Sequence, residues 1–449
     1  MGILFLIIFT LAEITLAVLS CTKFSEKVKW MQNRLIVRGV ESALILLIIL
    51  LPVTYMKWRF ILAAAIVFIR LIIAGIIWLI KRRKAEGVKK KAGVIIGCIL
   101  SVVLIAVSLT PAFLFTNYHG LETTGEYKVK ETGVILTDES REDEFEKDGS
   151  FREIPAHFYY PEDAEGNFPL IIFSHGAFGY YQSNYSTYAE LVSNGYIVVA
   201  LDHPHHAFFT KDTAGQIVTV DPDFINSAMT VGDGTGVSDE EIFNITQSWM
   251  KLRTDDESFV LDSIKVAKDK SALSDSWQAE DEELILHILS VTDTDRIGLM
   301  GHSLGGASGI ALGRKRDDIG AVIDLDGTAL GELSAIVNGK GVYKTEAYPV
   351  PVLVFSQGKD YNEEEQSGAY AGINERLVEN AKDGKIVYIN GAGHMDFTDL
   401  PIFSPFLGSM FGSGKVDSRE CMTTVNAVSL NWFNYYLKNE GALDIKASY

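Results

Sequence analysis

The hydrophobic positions of this chain fall into two regimes. Up to residue 116 they form long unbroken runs, at about 3–20, 40–55, 60–80 and 92–115, each near the ~20 residues that carry a helix across ~30 Å of hydrocarbon. Four transmembrane helices are predicted. Beyond residue 150 the apolar runs shorten and alternate with helical stretches: "FPLIIFSHG", "YSTYAELVSNG", "YIVVALDH", then "RIGLMGHS" before a helix, "AVIDLDG", "PVLVFSQG", "KIVYINGAGH" and a terminal helix around "TTVNAVSLNWFNYYLKN". Short continuous apolar strands separated by helices predict an α/β fold with a mostly parallel sheet covered on both faces. The opening strands of that sheet are expected in "TGVILTDES" and "REIPAHFYYPED", joined by the acidic "REDEFEKDG". The expected domains are therefore 1–116 in the membrane, 117–150 as linker and first strand, and 151–449 as the α/β unit. Residues 207–282 are acidic, mixed in pattern and long for a crossover, which predicts a helical insertion or lid.

Charge divides the chain at the same place. The formal net charge of −18 hides 15 Lys and Arg against 4 Asp and Glu in residues 1–116, with 25 against 54 in the rest. A basic, apolar first part suits a membrane with anionic headgroups, and an acidic second part is unsuited to nucleic acid. The chain is expected at the cell membrane as a multi-pass protein. Cations cluster after the first span (Lys23, Lys27, Lys29, Arg34, Arg38) and after the third ("KRRKAEGVKKK"), so those loops are expected in the cytoplasm and the α/β unit outside it. The first run is not read as a cleaved signal, and the "VLSC" ending at Cys21 is not read as a lipid-attachment site, because no basic stretch precedes that run and three more spans follow. Glu13 and Arg70 fall near the middles of two spans, where a charge must face protein; a packing ion pair between them is expected, with no other charged residue near the middle of a span. Three scattered cysteines, Cys21, Cys98 and Cys421, predict neither a disulfide framework nor a clustered metal site.

Candidate chemistry begins at Gly301-His302-Ser303-Leu304-Gly305, a G-x-S-x-G turn between an apolar strand and a helix, where small neighbours allow a serine to stand at a tight corner. A serine nucleophile needs a base, an acid that orients the base, and donors for the oxyanion. His394, in "GAGHMDF" after the last apolar strand, is the candidate base. Asp326, Asp324 and Asp360 each follow or end a strand downstream of the serine, and pattern alone slightly favours Asp360. For the oxyanion, "FSHGAFG" offers the backbone N–H of Ala177 beside that of Leu304. "LDHPHH" carries His203, His205 and His206 without a carboxylate or cysteine at ligand spacing, and Asp221, Asp223, Asp233 and Asp239 lack the spacing of a calcium loop. No metal and no cofactor is predicted.

At these residues the chain resembles the platelet-activating-factor acetylhydrolase family of α/β-hydrolases, from about residue 151 to the C-terminus. "PLIIFSHGAFG" is similar to the family's strand and oxyanion loop, "WMKLRTDD" to a Trp-containing helix before the nucleophile, "GHSLGGAS" to its serine turn and "GHMDFTDL" to its His-x-x-Phe-x-Asp segment. The resemblance implies an α/β-hydrolase fold and takes the acid from the strand directly after the nucleophile helix. "IDLDG" matches there, which moves the preference from Asp360 to Asp326. Where the family has an aromatic residue soon after that acid, this chain has Thr328. The implied activity is hydrolysis of a carboxylic ester with a short or medium acyl group, or of a phospholipid-like ester, by Ser303, His394 and Asp326. A broader lipase or polyester hydrolase is the alternative within the class, and a membrane sensor built on an inactive hydrolase domain the alternative outside it. Expected partners are the ester or lipid substrate and the lipids around the spans.

Overall fold

The computed structural model describes residues 1–449 except 24–25, 164, 234–235 and 359–368. The chain forms two compact units. Residues 1–120 and 402–410 make the first, and residues 121–401 and 411–449 the second.

In the first unit four long helices follow one another: α1 Gly2–Thr22, α2 Lys27–Leu50, α3 Ile61–Lys81 and α4 Lys91–Ser108, with a short α5 Thr110–Leu114. Phe5, Phe9, Ile45, Phe60, Val67 and Ile105 pack between them, while Ile72, Ile76, Leu79 and Leu100 point outward. Apolar side chains on the outside of the bundle as well as its inside are a pattern suited to lipid. Among the described residues three of these helices, Gly2–Thr22, Lys57–Lys81 and Lys91–Ser108, are long and apolar enough to cross a membrane. The second departs from expectation. Instead of spanning 40–55 it begins at Lys27 and ends at Leu50, so that Arg34, Arg38 and Glu41 lie within it.

That shift rewrites the polar centre of the bundle. Glu13 does bond Arg70, as expected, but it also accepts from Arg38 at 2.5 Å, and Arg38 in turn pairs with Glu41 at 2.8 Å. Arg70 donates to Ser101 at 2.8 Å. Arg38 is therefore not a loop cation, and Glu13 and Arg70 are not the only charges in mid-helix. Glu13, Arg38, Glu41 and Arg70 each have an opposite partner, which is how ionic groups are tolerated inside an apolar bundle.

The second unit is a nine-stranded sheet in the order β13-β12-β9-β8-β3-β4-β2-β1-β7. Its strands are β1 Val129–Glu142, β2 Phe151–Pro161, β3 Phe168–Ser174, β4 Ile197–Leu201, β7 Trp277–Ala279, β8 Thr292–His302, β9 Ile319–Leu325, β12 Val352–Gln357 and β13 Gly384–Ile389. From β13 to β4 every pairing is parallel, and β2, β1 and β7 continue the sheet antiparallel. Two small hairpins, β5 Phe209–Lys211 with β6 Ile217–Thr219 and β10 Leu333–Val337 with β11 Lys340–Tyr343, stand apart from it.

The period-two geometry of a strand explains why the central sequences read as unbroken apolar runs. In β3, Leu170 and Ile172 enter the core on one face and Ile171 and Phe173 the core on the other, so neither face is left for water. The helix α6 Tyr185–Ser193 and the C-terminal helix Ser418–Phe433 pack on the second face, through Tyr188, Leu191, Val425 and Trp432. The first face is covered by α8 Asp239–Lys270 and α9 Glu282–Val291.

The structure divides the stretch expected to be an insertion. The β5–β6 hairpin and α7 Pro222–Asp233 lie outside the main sheet, whereas the second half of α8 buries Val260, Leu261, Ile264 and Ala267 in the main core, and β7 pairs with β1 as an edge strand. Half of the supposed lid is thus part of the body. The stretch expected to hold a linker and the first strand contains β1, paired with β2 from Val129↔Pro161 onward.

Candidate active site

Register brings the site together. Ser174 of β3 stands opposite Gly301 of β8, His302 opposite Leu325 of β9, and Leu325 opposite Phe355 of β12. The residues that follow these strand ends (His175, Ser303, Asp326) consequently leave the sheet at one level, on its carboxyl edge, where open α/β sheets hold their ligands.

Ser303 joins β8 to the helix α10 Leu304–Lys315 and has φ 55° and ψ −122°. A non-glycine residue there is strained, and the surrounding contacts must hold it. They do so through two glycines. A Cβ on Gly301 would lie 2.3 Å from the Gly305 carbonyl carbon, and one on Gly305 would lie 2.0 Å from the Ser174 carbonyl oxygen. Ser303 N–H donates to the Leu325 carbonyl at 2.9 Å, tying the corner to the neighbouring strand.

His394 opens a short helical turn, His394–Phe397, five residues beyond β13. Its Nδ1 lies 2.7 Å from Asp326 Oδ2, with 38% of the histidine side chain and 7% of the aspartate side chain exposed. With Nδ1 held by the carboxylate, Nε2 is the nitrogen left for proton exchange. Asp326 is itself at φ 56°. Its carboxylate accepts from Gln357 N–H at 3.0 Å and from Gln357 Nε2 at 2.8 Å, so the end of β12 fixes its orientation. Gln357 sits in the "VFSQG" that served above only as a strand, and an amide next to a strand-end glycine gave no signal of this role.

The loop carrying His394 is pinned by its own acids. Asp396 accepts from Gly393 N–H at 2.9 Å, Gly414 N–H at 2.6 Å and Ser418 Oγ at 3.0 Å. Asp399 accepts from Ser186 N–H at 2.7 Å and Ser186 Oγ at 2.5 Å, at the start of α6. Burial pushes Asp399 up to about 6 against those hydrogen bonds. Asn184 Nδ2 donates to the Phe397 carbonyl at 2.7 Å. The His-x-x-Phe-x-Asp segment thus reads structurally as a histidine on an anchored turn.

The other candidate acids separate. Asp324 is wholly buried, accepts from Gly327 N–H at 2.9 Å, and is raised well above the usual carboxylate range by burial and by the charge of Asp326. It is not brought to His394. Asp360 lies outside the described residues. Ala177 and Leu304 share an apolar cluster with Phe224, Met250 and Ala307, so the two candidate oxyanion residues are brought into one neighbourhood. His302 packs on His394 with ring centroids 4.6 Å apart, and its Nε2 lies 3.1 Å from the His394 carbonyl. Burial, then the neighbouring His394, pushes His302 down to about 3, so it stays neutral.

The three histidines of "LDHPHH" go elsewhere. His203 bridges Ser174 Oγ and Asp256, His205 stacks on Phe145, and His206 stacks on Phe224. Among the described residues there is no metal-ligating cluster. Asp221 caps α7 by accepting from Asp223 N–H and Phe224 N–H.

Comparison with known proteins gives the family and the fold. A family model described as platelet-activating factor acetylhydrolase, isoform II, matches residues 152–444. A platelet-activating factor acetylhydrolase of Gallus gallus is 26% identical over 291 residues, 60% of this chain and 62% of the relative. One of Cavia porcellus is 24% identical over 302 residues, 63% of this chain and 61% of the relative. The chain spans about three fifths of the length of these curated relatives. A ferulic acid esterase from Streptomyces cinnamoneus superposes with a TM-score of 0.52 at 20% identity, covering 72% of this chain and 95% of the esterase. That likeness is one of fold, the α/β-hydrolase fold.

Proposed function

The chain belongs to the platelet-activating factor acetylhydrolase, isoform II, family, and we propose that it hydrolyses carboxylic esters at Ser303 through an acyl-enzyme. The observation that carries this reading is the Asp326–His394 hydrogen bond at 2.7 Å on the sheet edge where Ser303 stands at φ 55°. His394 Nε2 takes the Ser303 proton as Oγ attacks the ester carbonyl, and Asp326 holds the ring in the required tautomer and balances its charge. The Ala177 and Leu304 N–H groups receive the negative charge that develops on the carbonyl oxygen. His394 then returns its proton to the leaving alcohol, and water, activated by the same nitrogen, releases the acid. The substrate is a short- or medium-acyl ester or a phospholipid-like acyl ester, reached at a membrane into which the chain's own helices insert. Support for the lipid class comes from the family and from those helices.

The hydrolase unit lies on the extracytoplasmic side, a reading supported by the cations of 23–29 and 81–91 at the opposite ends of α1 and α3. The experiment is hydrolysis of esters of graded acyl length by the purified full chain and by Ser303→Ala. Turnover that depends on Ser303 and declines with acyl length supports the short-acyl reading. Turnover that rises with length makes the enzyme a lipase of wider scope, and equal turnover without Ser303 removes the proposed nucleophile. Labelling of intact cells with a membrane-impermeant serine probe tests the side of the membrane: signal only after permeabilisation contradicts it.

A further inference from the structure

Behind the strand end that carries Gly176 and Ala177, the hydrolase unit buries a charged network that the steps above do not use. At its centre is Arg253 of α8, in the "WMKLRTDD" stretch, with none of its surface exposed. Through Nη1 it donates to the His175 carbonyl, and through Nη2, at 3.5 Å, to the Gly176 carbonyl. The Gly176 oxygen also accepts from His175 Nδ1 at 2.6 Å and from Gly179 N–H at 3.1 Å. His175 Nε2 accepts from His203 N–H at 3.2 Å, which leaves the ring proton on Nδ1. Burial and the nearby Arg253 charge hold that imidazole neutral, well below the ordinary histidine value. The charges of Glu257 and Asp256, four and three residues further along α8 and so about one helical turn away, favour the charged guanidinium against its burial.

A trans peptide is planar, with its C=O and N–H on opposite sides. Donors gathered on the Gly176 carbonyl therefore set the direction of the Ala177 N–H, away from Arg253. Gly176 abuts the nucleophile: a Cβ built on it would lie 3.3 Å from Ser303 Cβ. We propose that Arg253 is a positioning residue for the oxyanion hole, drawing the His175 and Gly176 carbonyls toward α8 so that the Ala177 N–H faces the substrate oxygen at Ser303. The role rests on the esterase reading and extends it to a residue that never touches substrate. A guanidinium suits it because its diverging donors reach two successive carbonyls, which an ammonium cannot do in one geometry.

The test uses the full chain in detergent with a short-acyl chromogenic ester. Arg253→Met is expected to lower kcat by about 10²–10³, the loss seen when one oxyanion donor is removed, with KM changed by less than about threefold. Affinity for a trifluoromethyl ketone, whose adduct with serine carries an oxyanion, is expected to fall in proportion to kcat/KM. Arg253→Lys restores part of the loss, to within about 10–100-fold of the natural protein. A folded Arg253→Met with natural kcat, or one in which KM alone changes, overturns the proposal. So does failure of both variants to fold, which makes Arg253 a residue of stability. Ser303→Ala, assayed alongside, separates the two ideas. If it keeps activity, the nucleophile assignment falls and the positioning role falls with it; if it is inactive while Arg253→Met turns over normally, only the positioning role falls.

Discussion

Among the described residues of the hydrolase unit, two aspartate–histidine pairs approach within 3 Å, and by residue type the buried one looks more complete. Asp256 and His203 are 2.9 Å apart, and the other nitrogen of His203 is 2.9 Å from Ser174 Oγ, a closed chain of acid, imidazole and hydroxyl. Ser174 is 2% exposed, and His203 and Asp256 are not exposed at all. Asp326 and His394 are 2.7 Å apart, but 38% of the histidine side chain faces solvent and the serine on its sheet edge sits on a strained corner. The difference lies in access and backbone. An ester carbonyl can reach a serine only where the chain pushes it out of the sheet, and φ 55° at Ser303 does so, whereas Ser174 ends a strand inside the core. The same three side chains serve as a fastening in one place and, as proposed, as chemistry in the other.

The largest effect that could break this comparison is on turnover. Ser303→Ala is expected to lower kcat by about 10⁴–10⁶, whereas Ser174→Ala should leave kcat within about tenfold in the same ester assay. Equal losses would mean that the buried array takes part in catalysis. Asp326→Asn comes next, with an expected loss of about 10⁴ in kcat because the amide imposes the wrong tautomer on His394; a loss below tenfold would return the choice of acid to Asp360.

Smaller effects concern stability. Burial holds His203 and His302 below the ordinary histidine value, His302 at about 3, and both stay neutral in the fold. The unfolded chain takes up these protons below ~6.5, where the folded chain does not. Their contribution is thus fully present above ~6.5 and is lost as the pH falls toward the folded values. Between pH 7.5 and pH 5 these two groups together remove about 4 kcal/mol, while buried Asp202 and Glu257, pushed up to about 8 and about 7, act in the opposite direction; in denaturant melts His203→Gln should shift the gap between the two pH values by about 2 kcal/mol in favour of pH 5. An unchanged gap would remove the buried pair from the account of stability. The smallest is Ser174→Ala, expected to cost about 1–3 kcal/mol because His203 loses a buried hydrogen-bond partner; chemical denaturation at pH 7.5 measures it.

Much of this was legible in the sequence, for physical reasons that differ by region. Continuous apolar runs located the strands because both faces of the sheet are covered, and G-x-S-x-G located the corner because only glycine fits beside it. Asp326 was reached through a family likeness rather than by pattern, since a carboxylate at a strand end carries no mark of the histidine 68 residues later that it will meet. Gln357 and Arg253 were missed for the same reason: buried polar partners are joined across the fold by register. In the first unit, Arg38 was assigned to a loop and Glu41 passed over because hydropathy counts charge as an end to a span, yet here opposite charges meet inside the bundle and the helix continues through them.

The most direct measurement is labelling of the detergent-solubilised full chain by a fluorophosphonate, which bonds only to an activated serine, comparing the natural protein with Ser303→Ala and Ser174→Ala. The account predicts labelling of the natural protein and of Ser174→Ala, and none of Ser303→Ala. Labelling that survives Ser303→Ala and disappears with Ser174→Ala would contradict it.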